Sequence, residues 1–199
     1  MPIRSKLIAV LAVTLLGFFP DVAQARDFLV VSVADQKMAL LKGNTLEAIY
    51  VISTSKYGVG DSVGSYKTPL GKFQIYRKIG GNKPPGAVFK SRQWTGEIVR
   101  PNAPDRDPIV TRILWLKGLE SQNRRALDRG IYIHGTPQES ALGTAASYGC
   151  IRMRSADIIR VFNQVDENTG ILITRDSLVS AVAKCGGVAE EEDDSYASR

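Results

Sequence analysis

Short apolar runs broken by polar turns recur along the chain and predict a strand-rich fold. Residues 28–33 and 37–41 are aliphatic, β-branched runs on either side of Ala34-Asp35-Gln36, and Gly43-Asn44 leads into a third run at 46–53. Three strands at this spacing predict an antiparallel meander. A glycine-rich loop follows at 58–64. No Lys-Ser/Thr pair and no helix start come after it, so the pattern of a nucleotide-phosphate cradle is missing. Thr68-Pro69 enters a strand at 71–77, with the proline at its start, where a missing N–H costs no ladder bond.

Residues 78–130 are the least regular portion, with Pro84-Pro85-Gly86, Arg100-Pro101, Pro104 and Pro108. A loop of that length inside one domain has the character of a lid or binding loop. Phe89, Lys90, Arg92 and Trp94 suit a sugar- or peptide-binding groove there, and equally a satellite core. A strand is expected at 109–116, with Trp115 in the core, and a short helix at 121–127 ended by Gly130. Ile131-Tyr132-Ile133 is a strand delivering His134 to its end, where Gly135 permits a sharp turn. Ser147-Tyr148-Gly149-Cys150 is a turn shortly before a helix at 156–165, which carries Ile158, Ile159, Phe162 and Val165 on one face. A final strand at 171–174 and a helical turn at 178–183 complete a mainly β, single-domain architecture with a few short helices and no internal repeat.

The ends differ from this body. Residues 1–25 combine Arg4 and Lys6, an uncharged run at 7–19, Pro20 and the A-x-A site Ala23-Gln24-Ala25. That is the pattern of a secretory signal peptide cleaved near Ala25-Arg26, and the run is short for a membrane span. The expectation is an exported protein, periplasmic or cell-wall associated and monomeric, with a catalytic domain at 26–176 and a C-terminal extension at 177–199. The acidic tail Glu190-Glu191-Glu192-Asp193-Asp194 offers little apolar surface and is expected to be disordered. Residues 26–187 carry 23 Lys and Arg against 14 Asp and Glu, a net +9 within a chain of +6. No zinc-ligand set, recognition helix or aromatic RNA-binding motif accompanies that charge, so nucleic acid is not the expected partner. An anionic cell-wall polymer fits better.

Candidate chemistry narrows quickly, because the chain has one histidine and two cysteines. A thiol attacks as its thiolate and needs a base to reach it, and imidazole is the best-matched base near neutrality. Cys150 and His134 are therefore candidate nucleophile and general base. Backbone N–H groups in the glycine turn, of Gly149 or Cys150, suit an oxyanion hole. Arg152 offers a fork of donors to a substrate carboxylate, or electrostatic support. Ser147 is a turn residue that could help to position His134. Without a telling acidic residue, a backbone carbonyl is expected to orient the imidazole. One histidine and two separated cysteines make no convincing metal set, so neither metal nor organic cofactor is expected. A Cys150–Cys185 disulfide would consume the nucleophile, and Cys185 is read as a peripheral free thiol.

The segments His134-Gly135-Thr136 and Ser147-Tyr148-Gly149-Cys150-Ile151-Arg152-Met153 resemble the signature of the YkuD-type L,D-transpeptidases, which cross-link peptidoglycan. Ser53-Thr54-Ser55 and Thr68-Pro69-Leu70-Gly71-Lys72-Phe73 match two further family stretches in the same order. The resemblance spans roughly residues 28–174. It implies a β-sandwich-like catalytic fold and acyl transfer in two halves. Cys150 attacks the third residue of a stem tetrapeptide, D-alanine leaves, and an amine of a neighbouring stem resolves the thioester. It also implies acylation by carbapenems, a site role for Arg152, and Gly135 and Thr136 beside the substrate. Tyr148 stands where many relatives have a histidine, which leaves His134 as the base. Within the same chemistry, water or a protein lysine could resolve the thioester. From another class, a non-catalytic wall-binding module remains an alternative. A papain-like protease does not fit, since the histidine precedes the cysteine.

Overall fold

A computed structural model describes residues 27–186. The signal segment expected at 1–25 and the acidic run near the C-terminus lie outside the described residues. β1 (Phe28–Ser32), β2 (Lys37–Lys42) and β3 (Thr45–Ser53) form an antiparallel meander. Leu29, Val31, Met38 and Leu40 face one core, while Val30, Ala39 and Leu41 face another. Both faces of β1 and β2 are buried, which is why they read as continuous apolar runs.

The chain continues through β4 (Gly71–Ile79), a hairpin of β5 (Ala87–Lys90) and β6 (Gln93–Ile98), and β7 (Ile109–Gly118). β8 (Tyr132–Gly135), β9 (Ile151–Met153), helix α1 (Ser155–Gln164), β10 (Gly170–Thr174) and helix α2 (Leu178–Lys184) follow. The ladder runs β4-β10-β1-β2-β3-β9-β8-β7, and β7 pairs again with β4. The mainly β expectation is met by a sheet that curls until its ends join. Leu29, Leu40, Ile52, Phe73, Ile75, Leu114, Leu116, Ile133 and Ile151 fill the interior and are almost completely shielded from solvent. Each such side chain contributes about 1.5–3 kcal/mol by leaving water. α2 covers the outer face of β1 and β2 with Leu178, Ala181 and Val182.

Three local expectations are corrected. Residues 78–108 hold the β5–β6 hairpin, turned by Ser91 and Arg92 at φ 50° and 65° without a glycine. Every residue of β6 is exposed, so no apolar alternation marked it. The segment at 121–127 forms only a 3₁₀ turn over Ser121–Asn123. The stretch between Cys150 and the helix, to which the pattern gave no element, is the three-residue strand β9. Gly135 makes no sharp turn but lies inside β8, where a Cβ would stand 2.7 Å from the Val110 carbonyl.

Candidate active site

The pleat of β8 and β9 builds the site. The two strands are parallel, with Ile133 beside Ile151 and His134 beside Arg152. Ile133, Ile151 and Met153 point into the interior core. Side chains alternate along a strand, so Tyr132, His134, Arg152 and, at the entry to β9, Cys150 share the outer face. His134 and Cys150 are diagonal neighbours there, a relation that spans about 7–8 Å between backbone positions.

His134 is 5% exposed, with Nδ1 2.8 Å from the Gly135 carbonyl oxygen. That carbonyl can only accept, so Nδ1 carries the hydrogen and Nε2 is left as the basic nitrogen. Burial, and secondarily the Arg152 charge, lower the imidazole to about 4, against the pull of the Gly135 hydrogen bond. Cys150 is half-buried against Ala87, Phe89, Ile113 and Tyr132. Its Sγ donates to the Gly130 carbonyl at 3.4 Å. Burial raises the thiol to about 11, opposed by the Tyr132 amide and by Arg152 and Arg129. Both groups are therefore neutral at rest, with the proton on sulfur.

The turn before Cys150 is braced from several sides. Ser147 Oγ donates to the Cys150 carbonyl at 2.6 Å and accepts the Gly149 N–H at 3.2 Å. Ser147 thus shapes the cysteine turn, with no hydrogen bond to His134 among the described residues. Its hydroxyl also takes up the Gly149 N–H that was expected to serve an oxyanion. The Cys150 N–H has no hydrogen-bond partner among the described residues and is the available donor beside the thiol. Gly149 sits at φ 118°, and its carbonyl accepts from the fully buried Thr68 hydroxyl at 3.0 Å. Thr68 also accepts the Ser55 N–H. The Thr68-Pro69 and Ser53-Thr54-Ser55 stretches are thus structural supports of the cysteine turn.

Arg152 is not an open fork on the surface. It is 6% exposed and pairs with Asp107 at 2.6 Å, and Asp107 also accepts from the Thr136 hydroxyl at 3.1 Å. Thr136 is fully shielded and Gly135 lies within the ladder, so neither presents a surface to substrate. Tyr148 is 52% exposed and joins a cluster with Tyr57 and Tyr66. Asp107 went unnoticed in sequence because it lies in a proline-rich coil with no pattern linking it to Arg152. Glu139 was equally invisible; its carboxylate caps α1 by accepting the Ser155 N–H at 2.9 Å.

The β5–β6 hairpin flanks the thiol. Phe89 is buried in the same cluster as Cys150, whereas Trp94 is exposed, with the Lys83 ammonium 4.4 Å over its ring. Arg92 donates to the Tyr132 hydroxyl at 3.2 Å and lies 4.4 Å over Trp115. Trp115 sits half-buried on this outer face. Cys185 is a separate free thiol packed beside α2. Among the described residues no three His, Cys, Asp or Glu side chains converge as metal ligands.

A thiol and an imidazole on one face of adjacent strands, an available amide beside the sulfur and a fixed cation nearby are the parts of a thiol-based acyl-transfer centre. The chain belongs to the L,D-transpeptidase family: the L,D-transpeptidase catalytic domain model, YkuD, matches residues 26–173. It is 26% identical over 151 residues to the Bacillus subtilis (strain 168) protein named "Putative L,D-transpeptidase YqjB", covering 75% of this chain and 72% of that one. Two solved structures share the fold. The L,D-transpeptidase from Xylanimonas cellulosilytica (residues 123–326) is 16% identical at a TM-score of 0.50, over 74% of this chain and 60% of that one. L,D-transpeptidase 3 from Mycobacterium tuberculosis, solved with a faropenem-derived adduct, is 17% identical at a TM-score of 0.50, with the same coverages. The chain thus spans about three-fifths of the length of these solved chains.

Proposed function

We propose that this protein is an exported peptidoglycan L,D-transpeptidase in which Cys150 is the nucleophile and His134 the general base. The observation that carries the reading is the pairing of β8 with β9, which sets imidazole and thiol on one face while the Gly135 carbonyl holds Nε2 in its basic form. The proton stays on sulfur until substrate is bound, then passes to Nε2 as sulfur attacks the amide carbon after the third stem residue. The Cys150 N–H supports the oxyanion. The imidazolium gives its proton to the leaving amine, and D-alanine departs. The free Nε2 then accepts a proton from the amine of a neighbouring stem, which displaces Cys150 from the thioester to give a 3-3 cross-link, and returns that proton to the departing sulfur. The Arg152 charge, fixed by Asp107, favours the thiolate throughout. The residues 1–25 pattern supports delivery to the wall compartment, and the basic body suits an anionic polymer.

Intact-mass spectrometry of the protein with a disaccharide-tetrapeptide tests this reading. A Cys150 adduct, D-alanine release and dimeric product are expected, and Cys150→Ala should form none of them while keeping the fold. A tripeptide as sole product would make water the acceptor, an L,D-carboxypeptidase. Turnover by Cys150→Ala would remove the nucleophile assignment. A penem or carbapenem should acylate the same sulfur.

A further inference from the structure

Beside the cysteine turn lies a cation that the acyl-transfer reading does not use. Lys56 is exposed, yet its ammonium is held in place: it donates to the Tyr148 hydroxyl at 3.1 Å and lies 4.4 Å over the Tyr148 ring and 5.3 Å over that of Tyr57. Tyr66 closes the set, its ring centroid 5.9 Å from each of the other two. A bridge between Ser55 and Ser147, with the Lys56 N–H donating to the Ser147 carbonyl at 3.1 Å, ties this cluster to the turn that carries Cys150. Lys56 makes no ion pair among the described residues, and Asp61, the acid of the following loop, is already engaged by Arg129 at 2.8 Å. Ordering a long cationic side chain costs rotamer entropy, and among the described residues no acid offsets that cost.

We propose that Lys56 and the Tyr148 hydroxyl together bind a carboxylate of the peptidoglycan stem, making this cluster a specificity site for the free acid over its carboxamide. The geometry suits an anion, because Tyr148 accepts from Lys56 and its own O–H is available to donate alongside the remaining ammonium hydrogens. The exposed tyrosine faces bound the site with amphipathic rings. The inference rests on the transpeptidase reading for the identity of the ligand, and on the cluster alone for its charge selectivity.

Its test starts from binding, so that it does not depend on turnover. Cys150→Ala protein is titrated with a stem tetrapeptide bearing free carboxylates and with the same peptide bearing carboxamides, in the Lys56, Lys56→Met and Lys56→Arg forms. The free acid should bind about fivefold tighter when Lys56 is present, the scale of an exposed ion pair, and the margin should shrink as salt rises. Lys56→Met should abolish the margin and Lys56→Arg should keep it. With Cys150 intact, a margin seen in thioester formation assigns the carboxylate to the donor stem. One seen only in thioester resolution assigns it to the acceptor. Equal binding of acid and amide, or a margin that survives Lys56→Met, overturns the proposal. Failure of the transpeptidase reading would appear separately, as an absence of thioester.

Discussion

The sole histidine makes its own ionisation unusually easy to read. His134 is buried beside Arg152, and its folded value of about 4 lies below the ordinary 6.5. A base whose folded pKa is depressed is protonated more readily in the unfolded chain. Its contribution to stability is therefore present above 6.5 and is lost as pH falls towards 4. Between pH 7 and pH 5 the loss comes to about 2 kcal/mol, approaching about 1.4 kcal/mol per pH unit at the steep part. For a domain of this size that corresponds to a fall of about 4–8 °C in Tm. Ordinary carboxylates titrate near 4 and contribute little in that window. Urea denaturation at pH 7 and pH 5 should show the loss in the native chain and largely erase it in His134→Gln. The imidazole Hε1 resonance, one such signal in the whole protein, should not shift until well below pH 6. A titration centred near 6.5, or a stability loss of equal size in His134→Gln, would refute the buried neutral imidazole.

The thiol gives a companion prediction. In a Cys185→Ser background, alkylation of Cys150 at pH 8 should run roughly 100-fold slower than for an ordinary thiol and rise about tenfold per pH unit; a flat rate from pH 6 to 8 would indicate a resting thiolate instead. Asp107→Asn leaves the buried Arg152 guanidinium without its anion and should cost about 3 kcal/mol in urea unfolding, together with a lower rate of Cys150 acylation. Unchanged stability would mean that the pair is dispensable. Gly149→Ala forces a Cβ onto a φ of 118°, 3.3 Å from the Lys67 carbonyl, and should cost about 1–3 kcal/mol. Thermal melts read that cost, and acylation by a penem should slow because the Cys150 N–H is re-aimed.

Legibility in the sequence followed burial pattern and local motif. β1, β2 and β3 stood out because both faces, or one, are filled with aliphatic residues between polar turns. His134 and Cys150 stood out because the chain carries so few alternatives and because their flanking residues match a family signature. What could not be read was non-local. β6 has no buried position, β9 is three residues long, and the turn at Ser91-Arg92 uses positive φ without glycine. Asp107 meets Arg152 beside the β7-β8-β9 ladder, and Thr68 meets Gly149 beside the β3–β9 pairing, contacts between segments far apart in sequence. Gly135 and Thr136 were expected beside substrate from their place in the motif. Their work is close packing in β8 and support of Asp107.

The closure of the sheet also sets the order in which the molecule can come into being. β10, made near the end of the chain, lies parallel to β1 and antiparallel to β4. Until residues 170–174 are available, both of those strands keep an open edge and the interior that backs His134 is incomplete. Pairings this far apart in sequence close late and cooperatively. A chain cut before Gly170 should therefore be unfolded rather than merely slow, and the reactive thiol is assembled only once the strand-forming sequence is whole.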